Sequence, residues 1–193
     1  MSDKVKSLDL TPRRLFLAGL AGLPLLGRGA AGEEDACRGP IDQALAQYRK
    51  GVLQSEMEDR ARYLKPLVER FGPKVLEEVE QVTIAEARRS MQEAPLASRG
   101  LEAVKTALWD HLGPDFEYQV VEETGEALRF RVTKCPLAAR MRELGAGEIG
   151  FAYYCAYDYG FCQGLNPEIV FERTKTLMSG DDCCNHGYVL KKG

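Results

Sequence analysis

The stretch YYCAYDYGFC, residues 153–162, sets Cys155, Asp158 and Cys162 within eight positions, and the later stretch GDDCCNH adds Asp181, Cys183, Cys184 and His186. Once deprotonated, a thiol attacks electrophilic carbon or binds a soft metal, whereas a carboxylate or an imidazole holds or moves a proton. Spacing decides whether these groups can act together. Positions i, i+3 and i+7 share one face of a helix, while a strand would send Cys155 and Asp158 to opposite sides. Cys184 and His186, two apart, share a face of a strand. A helix bearing Cys155 and Asp158 opposite a strand bearing Cys184 and His186 would therefore assemble a Cys, Cys, Asp, His cluster. Arg173, between the two segments, offers a cation that lowers a thiol pKa or a planar fork that clamps a substrate carboxylate.

Each residue also has a plainer reading. A buried cysteine is a small hydrophobe, Asp158 is a helix cap, His186 is a surface residue, and Arg173 is a surface strand residue paired with Glu172 or Asp181. The concentration of these groups between residues 135 and 186 favours a site over a set of unrelated residues.

The elements that must position them are legible from periodicity. From Ile41 to about Glu93, Leu45, Tyr48, Val52, Met57, Tyr63, Leu64, Leu67 and Val68 recur near a 3.6-residue period, interrupted at Gly72-Pro73. A third helix is expected from Ser98 to just before Gly113-Pro114, with Leu101, Val104, Leu108 and Trp109 inward and His111 as a dipole partner at its end. Beyond Pro114 the period changes to two. FEYQVVEE and ALRFRVTKC around Thr124-Gly125 predict an antiparallel hairpin, and PLAARMREL predicts a short helix opened by Pro136. GEIGFAYYCAYDYGFC is ambiguous, because its aromatic residues and Gly160 favour a strand while Glu148 to Asp158 can continue as a helix. Two more strands are expected over Glu168 to Leu177 and Cys184 to Leu190. The fold class is therefore α+β, with N-terminal helices packed on an antiparallel sheet and a Cys/Asp-bearing helix near the C-terminus.

Composition narrows the function. The chain has 193 residues, 45% of them hydrophobic, which is ample for a core and excludes a disordered protein. Residues 1–32 carry five basic and two acidic side chains, which leaves 21 basic against 27 acidic in the remainder. An acidic balance argues against nucleic acid as a partner.

The first 32 residues read as a signal. Arg13 and Arg14 precede an apolar run from Leu15 to Gly27 that is too short to span a bilayer, and small residues follow at Ala30, Ala31 and Gly32. The paired arginines resemble a twin-arginine export signal. They predict the twin-arginine machinery as a partner, a periplasmic destination, no stable membrane insertion after removal of the signal, and one mature domain over residues 33–193. The six cysteines of an exported chain also suggest disulfides, with Cys37 and Cys162 as candidates, although the adjacent Cys183 and Cys184 suit that geometry poorly.

KCPLA at 134–138, YCAYD at 154–158 and NPEIVFERTKTLMSGDDCC at 166–184 resemble the C-terminal half of the L-2-amino-thiazoline-4-carboxylic acid hydrolase family. The resemblance runs over roughly residues 60–190. It implies a hydrolase that acts on non-peptide carbon–nitrogen or carbon–sulfur bonds and opens a small cyclic isothiourea, on a route to cysteine through a carbamoyl-cysteine intermediate. Cys155, Asp158, Cys184 and Arg173 would be its site residues. The family's single cysteine after Gly-Asp aligns with Cys184 and is doubled here by Cys183. Two other readings remain open. Cys155, Asp158, Cys184 and His186 are a donor set for a thiophilic divalent metal, and Cys-x-x-Asp with a distant Cys resembles organomercurial lyase. A non-catalytic small-molecule-binding domain held by disulfides is the third reading.

Overall fold

A computed structural model describes residues 34–191, with side chains from residue 42 onward, and the expected export segment 1–32 lies outside the described residues. Both cores and the sheet lie in the compact unit Gln47–Gly193. Two long helices, α1 (Glu34–Phe71) and α2 (Lys74–Glu93), flank the Gly72-Pro73 break. Gly72 adopts a positive φ of 80°, the conformation that lets the chain leave one helix and re-enter the next.

The third helix is shorter than expected and of two kinds. α3 (Leu101–Val104) runs into a π-helical turn, Lys105–Trp109, that buries Trp109, while His111 is exposed. The hairpin then forms as β1 (Glu117–Glu123) and β2 (Ala127–Lys134), followed by α4 (Pro136–Glu143).

The ambiguous segment is helical. α5 (Gly147–Gly150) passes through a second π turn, Phe151–Cys155, into α6 (Tyr157–Leu165). Gly160 is not a strand signal here. A Cβ on Gly160 would lie 2.2 Å from the Ile84 carbonyl oxygen and one on Gly164 would lie 2.3 Å from that of Arg88, so these glycines let α6 lie directly on α2. Arg99 ties the ends of the two helices together by donating to the carbonyls of Met91 and Gly164 at 3.1 Å each.

β3 covers only Ile169–Glu172, whereas β4 (Cys184–Leu190) has the expected bounds. The sheet is antiparallel throughout, in the order β1-β2-β4-β3. β3 ends early because the Asn185 side-chain oxygen takes the Thr174 and Lys175 N–H groups at 3.0 and 2.7 Å, which peels the chain off the sheet from Arg173 onward. The architecture is α+β.

Alternation along the central strands aims Leu128, Phe130 and Val132 of β2, and Cys184, His186 and Tyr188 of β4, to the covered face of the sheet. Trp109 stacks on Phe130 with ring centroids 3.8 Å apart and donates to the Tyr188 hydroxyl at 3.2 Å. The main core gathers these rings with Val104, Met91, Phe161, Cys162 and Leu165. A second core, around Met57, Ala61, Met141, Ile149 and Met178, joins α1, α4 and α5. Cys184 belongs to the first and Cys155 packs on the second, so the seam between the two cores runs between the two thiols. Among the described residues no helix is long and apolar enough to cross a membrane.

Candidate active site

The π turn prepares one wall of the site. Its signature bond runs from the Ala156 N–H to the Phe151 carbonyl at 2.9 Å, and the Tyr159 N–H then bonds to Ala156 rather than to Cys155. The Cys155 carbonyl instead accepts from Arg173 Nη2 at 3.1 Å. The same guanidinium donates through Nη1 to Asp158 Oδ2 at 2.8 Å. Only 3% of the Arg173 side chain is exposed and only 15% of Asp158, so this is a buried ion pair. Phe151, Tyr159 and Phe171 surround it, with the guanidinium carbon 5.2–5.5 Å from their ring centres. Arg173 is thus neither a surface strand residue nor exposed to a substrate carboxylate. It is the internal clamp that holds the Cys155 backbone and the Asp158 side chain together.

β4 supplies the other wall. His186 Nε2 lies 3.4 Å from Asp158 Oδ2 and 3.5 Å from Arg173 Nη1, and its ring sits edge-on to Trp109 and tilted against Phe171. His186 Nδ1 is buried and takes no hydrogen bond. Both polar contacts of the Asp158 side chain, with Arg173 and with His186, fall on its Oδ2 oxygen.

The thiols divide sharply. Cys155 Sγ lies 3.9 Å from the Thr176 hydroxyl, and Cys184 Sγ lies 3.7 Å from the same oxygen while accepting the Leu177 N–H at 3.2 Å. Burial pushes the Cys155 thiol up to about 12, against the pull of nearby Arg173. Cys135 caps α4, where its sulfur accepts the Ala138 N–H at 3.4 Å, and burial pushes it to about 11. Cys162, expected on the face of Cys155 and Asp158, instead enters the main core, and burial raises its pKa strongly. Cys183 is buried beside Asp182 and stands apart from the cluster. All five described cysteines are free thiols.

The helix and strand reading therefore brings Cys155, Asp158, Arg173, Cys184 and His186 together and leaves Cys162 and Cys183 out. It misses Thr176, whose hydroxyl lies between the two thiols. The available signal was the Thr-x4-Asp spacing, since the Thr176 N–H bonds to Asp181 Oδ2 at 2.7 Å and folds the loop that carries Thr176 inward.

The metal reading does not fit this arrangement. Among the described residues no three His, Cys, Asp or Glu side chains are placed to hold a metal ion. The physical reason is that Arg173 Nη1 is already bonded to the Asp158 oxygen that faces His186 Nε2, which puts a positive charge against both donors.

A family model, L-2-amino-thiazoline-4-carboxylic acid hydrolase, matches residues 43–188. The chain belongs to that family. The match takes in every residue of the cluster and extends further toward the N-terminus than the resemblance read from the motifs. Comparison with curated proteins and with solved structures gave no match. Within this hydrolase family, the site offers two thiols, a carboxylate held through one oxygen and a buried cation. An open recess of about 440 Å³ beside α1, bordered by Ala61, Lys65 and Leu144, contains none of these groups.

Proposed function

We propose that this chain opens a small cyclic isothiourea, a 2-amino-thiazoline carboxylate or a close analogue, with Cys155 as nucleophile and Asp158 as the group that receives the amidine-like nitrogens. The observation that supports this reading is the Arg173 guanidinium, which holds the Asp158 carboxylate through Oδ2 and the backbone of the half-buried Cys155 at one point. An isothiourea carries N–H donors on the carbon that must be attacked. A carboxylate binding those donors orients that carbon and favours the protonated amidinium, the form that is more electrophilic than the neutral one.

Cys155 Sγ attacks ring carbon C2, and the C2–S ring bond breaks as the departing sulfur takes a proton, which leaves the open chain bound to the enzyme as an S-alkylated isothiourea. Water then attacks the same carbon. The enzyme C–S bond breaks, the Cys155 thiolate is restored, and the product is the substrate plus one water, a carbamoyl-cysteine. A thiol with a pKa near 12 is a poor nucleophile at rest, so binding of the cationic amidine beside Cys155 must favour the thiolate during turnover. The same reading has the mature domain, residues 33–193, act on a small molecule in the periplasm after twin-arginine export.

The experiment is incubation of the chain with the amino-thiazoline carboxylate and product analysis by mass spectrometry. A product one water heavier, carrying a free thiol and formed by the wild type but not by Cys155→Ser, is expected. Equal turnover by Cys155→Ser would remove Cys155 from the reaction.

A further inference from the structure

Thr176 is a buried hydroxyl at the seam of the two cores, and its hydrogen bonds are saturated in one way only. A threonine oxygen has two lone pairs and one proton. Here the oxygen accepts the Met178 N–H at 3.2 Å and the Cys184 S–H at 3.7 Å, which fills both acceptor positions. Its own proton then has one remaining neighbour, Cys155 Sγ at 3.9 Å. Cys184 is directed from the other side, because its sulfur accepts the Leu177 N–H. The order is Leu177 N–H to Cys184 sulfur, Cys184 S–H to Thr176 oxygen, and Thr176 O–H to Cys155 sulfur.

We infer that Thr176 is a positioning residue that gives the two thiols of this site unequal roles, with Cys155 held as the hydrogen-bond acceptor that attacks and Cys184 as the hydrogen-bond donor that orients Thr176 from behind. The inference rests on the hydrolase reading above and adds the residue that decides which thiol reacts. When Cys155 carries negative charge, the hydroxyl hydrogen bond to it strengthens, since bonds to charged acceptors are about twice as strong as neutral ones. The proton that the departing ring sulfur takes is the one Cys155 gives up as it attacks, so the step needs no outside reactant, and the Thr176 hydroxyl steadies the Cys155 sulfur while that proton is away from it. The arrangement also explains why a loop that leaves β3 early is bonded so tightly to Asp181 and Asn185: the hydroxyl must stay within hydrogen-bond reach of both sulfurs.

The test needs no knowledge of the natural substrate. The full chain and its Thr176→Val and Thr176→Ser variants are treated with iodoacetamide over a range of pH, and alkylation at Cys155 and Cys184 is followed by peptide mass spectrometry. Valine keeps the shape and removes the hydroxyl, so alkylation of Cys155 should fall about tenfold at a given pH, in line with loss of one hydrogen bond to a charged group. Serine should restore the rate to within about twofold. An unchanged Cys155 rate and pH profile in Thr176→Val would overturn the inference, as would equal loss in valine and serine variants. If Thr176→Val does not fold, Thr176→Ala compared with Thr176→Ser gives the same contrast. Turnover of the thiazoline carboxylate is measured in parallel. Thr176-dependent alkylation without turnover leaves Thr176 in its role and refutes the hydrolase reading, whereas turnover with Thr176-independent alkylation and kcat refutes only the role of Thr176.

Discussion

Cys155 and Cys162 stand two helical turns apart in one continuous segment, and the structure treats them in opposite ways. Cys155 ends a π turn, with its carbonyl on Arg173 and its sulfur on Thr176. Cys162 begins from the same helix but is enclosed by Phe161, Leu165 and the aromatic core, with 1% of its surface exposed. Identical side chains become a candidate nucleophile and a packing residue because of what meets them. The π turn is the local cause, since the extra residue it inserts turns Cys155 toward the β4 wall while the following turns of α6 remain on α2.

The comparison breaks most visibly in turnover. Replacing Cys155 with Ser should lower turnover of the thiazoline carboxylate on the order of a thousandfold or more, as loss of a nucleophile does, with the fold intact by circular dichroism. Cys162→Ala should stay within about twofold in turnover and cost about 1 kcal/mol in a denaturant titration. A reversal of those two outcomes would falsify the division of roles. Stability is the next largest effect. Arg173→Met leaves Asp158 buried without its partner and should destabilise the protein by about 3–5 kcal/mol, while adding Asp158→Asn should recover part of the loss. If the double variant is as unstable as the single one, Arg173 acts through its aromatic contacts rather than through the ion pair.

The fold was largely legible because it is written in periodicity and turn chemistry. The Gly72-Pro73 break, the hairpin around Thr124-Gly125, the Pro136 helix start and the bounds of β4 all come from local rules that tertiary contacts leave in force. Within the site, the i, i+3 spacing on a helix and the i, i+2 spacing on a strand anticipated the meeting of Cys155, Asp158, Cys184 and His186. Three features escaped because they depend on distant partners. Gly160 suggested a strand, yet with Gly164 it marks close approach to α2; Arg173 suggested an exposed fork, yet its three aromatic neighbours come from three elements, the π turn, α6 and β3; and Thr176 showed no chemistry until two sulfurs met it.

The glycine reading has its own test. Gly→Ala inside a helix usually gains about 1 kcal/mol from propensity. Here the added methyl meets backbone oxygen at 2.2–2.3 Å, where nothing flexible can yield, so overpacking wins and Gly160→Ala or Gly164→Ala should lose about 1–3 kcal/mol by thermal or denaturant unfolding. A stabilised alanine variant would show that α6 can shift off α2 without strain.

The smallest effect concerns protons, and it draws the two cysteines together again. An unfolded thiol releases its proton near pH 8.5, whereas Cys155 holds its own up to about 12 and Cys135 up to about 11, with Cys162 also raised. Between those limits the unfolded state binds fewer protons than the folded one, so stability must fall as pH rises above about 8.5 and must be fully present below it. Each such thiol contributes at most about 1.4 kcal/mol per pH unit. Comparing urea midpoints at pH 8.5 and 10, Cys155→Ser and Cys162→Ala should each flatten the slope by a similar amount. Iodoacetamide, in contrast, should modify Cys155 in the folded protein at a rate that climbs about tenfold per pH unit through that range, and should leave Cys162 untouched. Stability senses only that both protons are held, and alkylation senses which sulfur has Thr176 beside it. A Cys162 that reacts as fast as Cys155 would place both thiols in one environment and remove the contrast on which the site is built.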